Sequence, residues 1–94
     1  MTLVWLRRDE RSLEVIAYDI ARVHRQAAHT TILTIRAAGT RLIDNPAIGR
    51  PGRVPGSREL VVVGTPYILP YRVQGETIQS LHVLHGAGQW PERF

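Results

Sequence analysis

"LEVIAYDIARVHRQAAHTTILTIRAAGTRL", residues 13–42, is the stretch that decides the fold, because it carries two apolar stripes at helical spacing. The first stripe consists of Leu13, Ile16, Ala17, Ile20 and Val23. The second consists of Ala28, Ile32, Ile35, Gly39 and Leu42. These stripes predict one helix over Asp9–His24 and another over Gln26–Leu42. Because the gap between them is short, the two helices are expected to form an antiparallel hairpin.

Four segments outside the helices have the alternation and composition of strands. They are Thr2–Arg7, Arg58–Val63, Pro66–Val73 and Thr77–His85. Residues 47–57 are rich in glycine and proline and are predicted to form a loop. Pro70 is expected at a bulge or at a position that needs no ladder donor. The order β-α-α-β-β-β predicts an α+β fold, with the helical hairpin packed on a mostly antiparallel four-stranded sheet.

The bulk composition limits the class of protein. A length of 94 residues predicts a single domain over residues 1–94, with residues 86–94 as a C-terminal tail. The chain has no cysteine, which excludes disulfides and thiolate metal sites, and no metal or cofactor is predicted. No apolar run is long enough to cross a membrane, and the start lacks the pattern of a secretory signal. We therefore expect a cytosolic protein without a membrane partner.

The charge of the chain points to an acidic partner. The formal net charge is +4, and all twelve basic residues are arginine. The guanidinium group presents a planar fork of donors that grips phosphate or carboxylate at two points. This composition fits a nucleic acid or an acidic protein as the partner, and equally a basic surface that binds no anionic ligand.

Four separated segments carry a family resemblance. They read "VWLRR" (residues 4–8), "GRPGRVPGSRELVV" (49–62), "TPYILPYRV" (65–73) and "LHVLHGAGQWP" (81–91). In this order, and with the predicted elements, they resemble the ParE/RelE toxin superfamily of bacterial type II toxin–antitoxin systems, and the ParE-like branch in particular. The resemblance runs over nearly the whole chain and implies the fold of these toxins.

The resemblance implies two activities. ParE-type toxins poison DNA gyrase and block replication, whereas RelE-type toxins enter the ribosome and cut mRNA. Both are held inactive by a cognate antitoxin, here ParD-like, that wraps an acidic segment around the toxin. The implied resting assembly is a toxin–antitoxin hetero-oligomer.

The nuclease alternative requires a particular set of side chains. Acid–base groups and cations must act on one phosphate, and the candidates are His85, Arg72, Arg58 and Tyr67. His82 lies three residues before His85 on a predicted strand, so the two rings are expected on opposite faces unless the strand breaks between them. The resemblance also counts against a nuclease, because Tyr67 stands where RelE-type enzymes typically carry an arginine. Their lysines are absent from this chain, and arginine is a poor general base.

The residues predicted to bind a partner lie in the glycine-rich loop, the strands beside it and the tail. The stiff loop offers Arg50 and Arg53 to an anionic partner, and rigid presentation lowers the entropy lost on binding. Arg58, which begins a strand and precedes Glu59, is expected to pair internally. Trp90 is expected either to fold back onto the domain or to contact a target. The full predicted set is Arg50, Arg53, Arg58, Arg72, Trp90, Arg93 and Phe94.

Taken with the resemblance, the sequence predicts a ParE-like toxin that binds an antitoxin. When free, it is expected to inhibit gyrase and arrest growth without catalysing a reaction itself. Two alternatives stay open at this point. One is a RelE-like, ribosome-dependent mRNA endonuclease, and the other is a non-toxic relic that only binds its antitoxin.

Overall fold

Two helices cover one face of a mixed sheet in the computed structural model, which describes residues 1–94. The elements, in chain order, are β1 (Thr2–Trp5), α1 (Arg7–Ala21), α2 (Arg25–Arg41), β2 (Arg50–Pro51), β3 (Arg58–Val61), β4 (Tyr67–Gln74), β5 (Thr77–Ser80) and β6 (Leu84–His85). The α+β class predicted from the sequence is therefore confirmed. The prediction of four strands was incomplete, because two strands of two residues each, β2 and β6, join the sheet.

The strand order is β1-β5-β4-β3-β2, and β6 pairs with β4. All pairs are antiparallel except β1 with β5, which run parallel with Thr2 opposite Thr77. The chain leaves β1, forms the helical hairpin, and returns to build the sheet from its far edge. As a result, the first strand of the chain is the neighbour of the last long one.

The helix ends differ from the predicted ones for reasons of capping. Helix α1 begins at Arg7 rather than Asp9, because the Asp9 carboxylate lies in the first turn and accepts the Leu6 N–H at 2.7 Å. It ends at Ala21 rather than His24, because His24 caps the next helix. The His24 Nδ1 accepts the Ala27 N–H at 3.0 Å and so starts α2 at Arg25.

The predicted strand over Thr77–His85 is broken, and Pro70 explains the break. In the antiparallel ladder, Leu81 follows the pair Tyr71–Ser80 and its N–H donates to the Pro70 carbonyl at 2.9 Å. Proline has no N–H to return the bond, so the Leu81 carbonyl instead accepts from Arg8 Nε at 2.6 Å. The chain leaves the ladder there and rejoins β4 only at β6. Pro70 thus lies at the end of the β4–β5 ladder, at the point where its missing N–H stops the pairing, rather than at a position that needs no donor.

The core lies between the helical hairpin and the sheet. Its ten buried members are Leu13, Ile35, Ala38, Leu42, Leu60, Val62, Leu69, Tyr71, Ile78 and Val83. Gly39 of α2 permits a close approach to β1, because a Cβ atom there would lie 2.7 Å from the Trp5 ring. The small residues of the second apolar stripe thus allow the sheet to pack closely. No helix of this structure has the length and apolar character that crossing a membrane requires.

Candidate functional site

The glycine-rich segment 49–57, called the arginine loop below, is fixed to the sheet by one buried carboxylate. The side chain of Glu59 on β3 is 1% exposed. Its Oε1 accepts from Arg50 Nε at 3.2 Å and Nη2 at 3.1 Å. Its Oε2 accepts the Arg53 backbone N–H at 2.7 Å and lies 3.5 Å from Arg53 Nε. Arg50 and Arg53, which the sequence analysis offers to an anionic partner, are therefore both paired with Glu59 within the chain.

Arg58 is held by backbone carbonyls rather than by its neighbour Glu59. Adjacent residues of a strand point to opposite faces, so Arg58 cannot share the carboxylate that lies on the other side of β3. Its Nη1 donates to the Gly49 carbonyl at 2.8 Å and approaches the Ala47 carbonyl at 3.5 Å. Arg58 is thus anchored internally, as expected, but its charge has no carboxylate partner.

Tyr71 ties the start of the arginine loop to the core. It is fully buried, its hydroxyl accepts the Gly49 N–H at 2.9 Å, and it donates to the Pro46 carbonyl at 2.7 Å. Burial raises the pKa of Tyr71, although the hydrogen bond from Gly49 and the charge of Arg58 oppose that rise. Position 49 admits only glycine, because a Cβ atom there would lie 2.6 Å from the Tyr71 ring.

An arginine-lined pocket of about 270 Å³ opens where β3, β4 and the end of the arginine loop meet. Its lining consists of Pro51, Gly56, Ser57, Arg58, Tyr71, Arg72 and Val73. We call it the Arg58–Arg72 pocket. Arg72 forms neither an ion pair nor a hydrogen bond within the chain. The lining therefore includes two arginines and no acidic residue, although the register places Arg58 and Arg72 on opposite faces of the sheet.

The C-terminal tail folds back onto the domain, which is one of the two outcomes expected for Trp90. The Arg53 guanidinium carbon lies 3.8 Å from the centroid of the Trp90 ring. The Trp90 Nε1 donates to the His85 carbonyl at 3.4 Å. Farther along, Phe94 lies 5.7 Å from the Arg8 guanidinium, whereas Arg93 is exposed and unpaired. Two cation–π contacts thus hold the tail to basic residues of the body.

An apolar groove of about 430 Å³ runs between α1 and the strands β4 and β6. Its walls include Val15 and Ile16 of α1, and His85 and Tyr67 of the sheet. The His85 and Tyr67 rings meet edge to face with their centroids 5.7 Å apart. Burial, and secondarily the charge of Asp19, raises the pKa of Tyr67. The groove is mainly apolar, with Arg8 and Arg11 among its lining residues.

The candidate nuclease residues do not converge on one site. His85 and Tyr67 are cross-strand partners in the groove. Arg72 lies five residues beyond Tyr67 on β4, hence on the opposite face and about 17 Å along the strand. Arg58 pairs with Tyr71, away from the groove, and lines the other pocket. The structure therefore brings only His85 and Tyr67 together, because Arg58 shares the face of Tyr71 and Arg72 points to the opposite face.

The sequence analysis placed His82 and His85 on one strand, but in the structure only His85 lies on a strand. Because the strand breaks, His82 lies in the connection between β5 and β6, and its Nδ1 accepts the Val83 N–H at 2.9 Å. The Nδ1 of His85 accepts the Ala87 N–H at 3.1 Å. Each ring thus has one nitrogen committed to the backbone.

A buried polar pair under the start of α1 was missed by the sequence analysis. Asp9 and Ser80 are both fully buried, and Oδ1 of Asp9 and the Ser80 hydroxyl lack a partner at hydrogen-bonding geometry. Burial raises the pKa of Asp9, while the Leu6 N–H, the neighbouring Ser80 hydroxyl and the charges of His82 and Arg8 oppose that rise. An acidic residue at the start of a helix looks like an ordinary charge in sequence, and only the sheet packed beneath it buries the carboxylate.

Replacing Asp9 by asparagine is expected to change the pH dependence of stability. The folded pKa of Asp9 lies above its unfolded value of 3.8. Its contribution to stability is thus complete below the unfolded pKa and is lost as the pH rises through the folded pKa. Asp9→Asn keeps an acceptor for Leu6 and stays neutral at every pH. Urea unfolding at several pH values should show the native chain gaining on Asp9→Asn as the pH falls below neutral.

A second variant separates charge from capping in that experiment. Asp9→Ala removes the acceptor for Leu6 and should be less stable than Asp9→Asn by about 1 kcal/mol at every pH. A constant difference between the native chain and Asp9→Asn across the pH range would contradict the buried-carboxylate interpretation.

The comparisons with known proteins agree with one another. Residues 3–90 match the model of the family described as "ParE toxin of type II toxin-antitoxin system, parDE". The chain is 39% identical over 88 residues to "Putative toxin Y4kP" of Sinorhizobium fredii (strain NBRC 101917 / NGR234), which covers 94% of this chain and 91% of that protein. The fold matches a chain of the "Chromosomal ParDE TA system from P. aeruginosa" with a TM-score of 0.80 at 30% identity, over 90% of this chain and 95% of that one.

Proposed function

Because the chain belongs to the ParE toxin family of type II toxin–antitoxin systems, we propose that it inhibits DNA gyrase and arrests growth when free of its antitoxin. In this proposal the protein acts in the cytosol by binding and carries out no reaction of its own. The family establishes that the chain is a ParE-like toxin. The choice of gyrase as its target is the step that we add.

The observation that carries this choice is the separation of the candidate nuclease residues. In-line attack by a 2′-hydroxyl needs an acid, a base and a cation around one phosphate. Here His85 lies in the apolar groove, whereas Arg72 faces away from it on the other side of β4. A single phosphate cannot contact both without a rearrangement of the sheet. A binding function does not require these residues to lie around one phosphate. It also fits the exposed features of the molecule, which are an apolar groove and arginines.

We propose a ParD-like antitoxin as the partner in the resting state, forming a toxin–antitoxin hetero-oligomer. The matched solved structure comes from a ParDE system, which supports a partner of this kind. The basic residues and the tail remain our candidates for partner contacts. They are Arg50, Arg53, Arg58, Arg72, Trp90, Arg93 and Phe94.

The proposal predicts that the free protein abolishes DNA supercoiling by purified gyrase. Without the toxin, gyrase and ATP should convert relaxed plasmid to supercoiled plasmid. With the toxin added, the plasmid should remain relaxed or be cleaved. Addition of the antitoxin should restore supercoiling. Because a chain of charge +4 binds DNA weakly at low salt, the assay is repeated at increasing salt and with plasmid plus toxin but without gyrase.

Growth of cells that express the toxin alone distinguishes the alternatives. Growth arrest with unimpaired supercoiling would overturn the gyrase proposal and favour cleavage of ribosome-bound mRNA. In that case His85→Ala should abolish the arrest, because His85 is the histidine that faces the groove with Tyr67. Normal growth would favour a relic that only assembles with its antitoxin.

A further inference from the structure

We propose that the C-terminal tail, residues 86–94, is a releasable cover over one face of the sheet and that the contact of Arg53 with Trp90 holds it closed. The helical hairpin lies on the core face, and we call the other side of the sheet the second face. The closed and open states belong to the chain by itself, so neither gyrase nor an antitoxin enters the proposal.

Two side chains of β4 need a cover that the helices do not supply. Leu69 and Tyr71 belong to the core beneath the hairpin. Ile68 and Pro70 alternate with them along β4 and so point to the second face. Ile68 is nevertheless only 6% exposed, and Pro70 is fully buried. Val61, the neighbour of Ile68 on β3 and on the same face, is 43% exposed. The second face is therefore covered over the middle of β4 but not beside it.

The tail lies over this part of the second face. It leaves β6 at one edge of β4, where the Gly86 N–H extends the antiparallel pairing by one bond of 2.9 Å. A Cβ atom at Gly86 would lie 3.3 Å from Cδ1 of Ile68, so the backbone of the tail packs against that side chain. Four residues later, Trp90 reaches Arg53, which is bound to Glu59 of β3, the strand at the opposite edge of β4. The tail thus runs across β4 on its second face.

Glu59 positions Arg53 for the contact with the tail. Its Oε2 accepts the Arg53 backbone N–H at 2.7 Å and lies 3.5 Å from Nε of the same side chain. The carboxylate meets the edge of the guanidinium and leaves its flat face to the indole ring of Trp90, 3.8 Å from the ring centroid. Nε1 of Trp90 donates to the His85 carbonyl at 3.4 Å. The Trp90 ring is thus held between the arginine loop and the end of β6.

The end of the tail depends on this contact. No backbone group beyond Gly88 bonds to the backbone of the domain. The other side-chain contact, between Phe94 and Arg8, spans 5.7 Å and lies near the outer limit for a cation–π pair. Loss of the contact at Trp90 is therefore expected to free residues 89–94 and to uncover the second face above β4.

NMR relaxation of the full chain tests the cover with Arg53→Gln. This variant removes the guanidinium but keeps the backbone bond from residue 53 to Glu59. The backbone order parameters of residues 89–94 are expected to fall from about 0.85, the value of a rigid backbone, to below about 0.6. With a soluble gadolinium chelate added, relaxation of the Ile68 δ1 methyl should accelerate severalfold. The methyl of Ile35, which lies in the core, should not change.

Arg50→Gln is the matched control, because Arg50 also pairs with Glu59 but does not contact Trp90. Its tail should stay as ordered as that of the native chain. Trp90→Leu keeps every bond of Glu59 and should free the tail as fully as Arg53→Gln. Unchanged order parameters in Arg53→Gln or Trp90→Leu, or equal loosening by Arg50→Gln, would overturn the role of the Arg53–Trp90 contact. A tail that loosens while the Ile68 methyl stays shielded would overturn its role as a cover.

Discussion

Replacing Glu59 with alanine is expected to lower the free energy of unfolding by about 3 kcal/mol. The substitution removes a carboxylate that is 1% exposed and that accepts from Arg50 and from both the backbone and the side chain of Arg53. It leaves the Arg53 N–H without an acceptor and a cavity beneath the arginine loop. The loss lies at the lower end of the range for buried pairs, because the arginine side chains are 53% and 45% exposed and can turn toward water. Urea unfolding followed by circular dichroism measures it.

Glu10→Ala is the matched control, since Glu10 also pairs with an arginine. Its bond to Arg36 is short, at 2.6 Å, but both side chains are more than 40% exposed. Exposed pairs contribute about 1 kcal/mol or less, so this variant should be nearly as stable as the native chain. If the two substitutions cost the same, Glu59 is not what fixes the arginine loop. Glu59→Gln, which keeps the shape but not the charge, should fall between them.

Removing the Tyr71 hydroxyl by Tyr71→Phe is expected to cost about 2 kcal/mol, although it deletes a single atom from the core. The hydroxyl accepts the Gly49 N–H and donates to the Pro46 carbonyl. Phenylalanine fills the same space but removes the partner of the buried Gly49 N–H and of the partly buried Pro46 carbonyl. The second effect is local, because the entry into the arginine loop loses its tie to β4. Hydrogen exchange of the Gly49 amide should therefore accelerate more than that of the core strands.

Tyr67→Phe provides the comparison on the same strand. Tyr67 packs against the core and its ring meets His85, but its hydroxyl makes no hydrogen bond within the chain. The change should alter the stability by less than about 0.5 kcal/mol. A loss for Tyr67→Phe as large as that for Tyr71→Phe would mean that the cost does not come from the two hydrogen bonds of the Tyr71 hydroxyl.

Periodicity predicted the fold class because the apolar stripes of the two helices are long and regular. The ends of the elements were set by single atoms that a pattern does not reveal. The Asp9 carboxylate and the His24 ring moved the ends of α1, and both act through hydrogen bonds to backbone N–H groups. The break after β5 arises from an N–H that Pro70, a residue of another strand, does not have.

The candidate site was harder to predict because arginines look alike in sequence. Arg50, Arg53 and Arg58 lie within nine residues, and the sequence does not show which of them pairs with Glu59. The alternation of side chains along a strand already excludes a bond between neighbours such as Arg58 and Glu59. That Arg50 and Arg53 reach Glu59 instead depends on the short strand β2, which proline and glycine had suggested was loop.

The parallel pairing of β1 with β5 affects how the chain folds during its synthesis. Thr2 lies opposite Thr77, so the first strand finds its neighbour only after most of the chain has been synthesised. Contacts between distant parts of a chain slow folding, because a long loop must close before they form. The helical hairpin is expected to form early, whereas the sheet can be completed only after β5 has been synthesised. Fragments that lack either end are then expected to be unfolded and inactive. Incomplete translation of this message is therefore expected to release no active toxin.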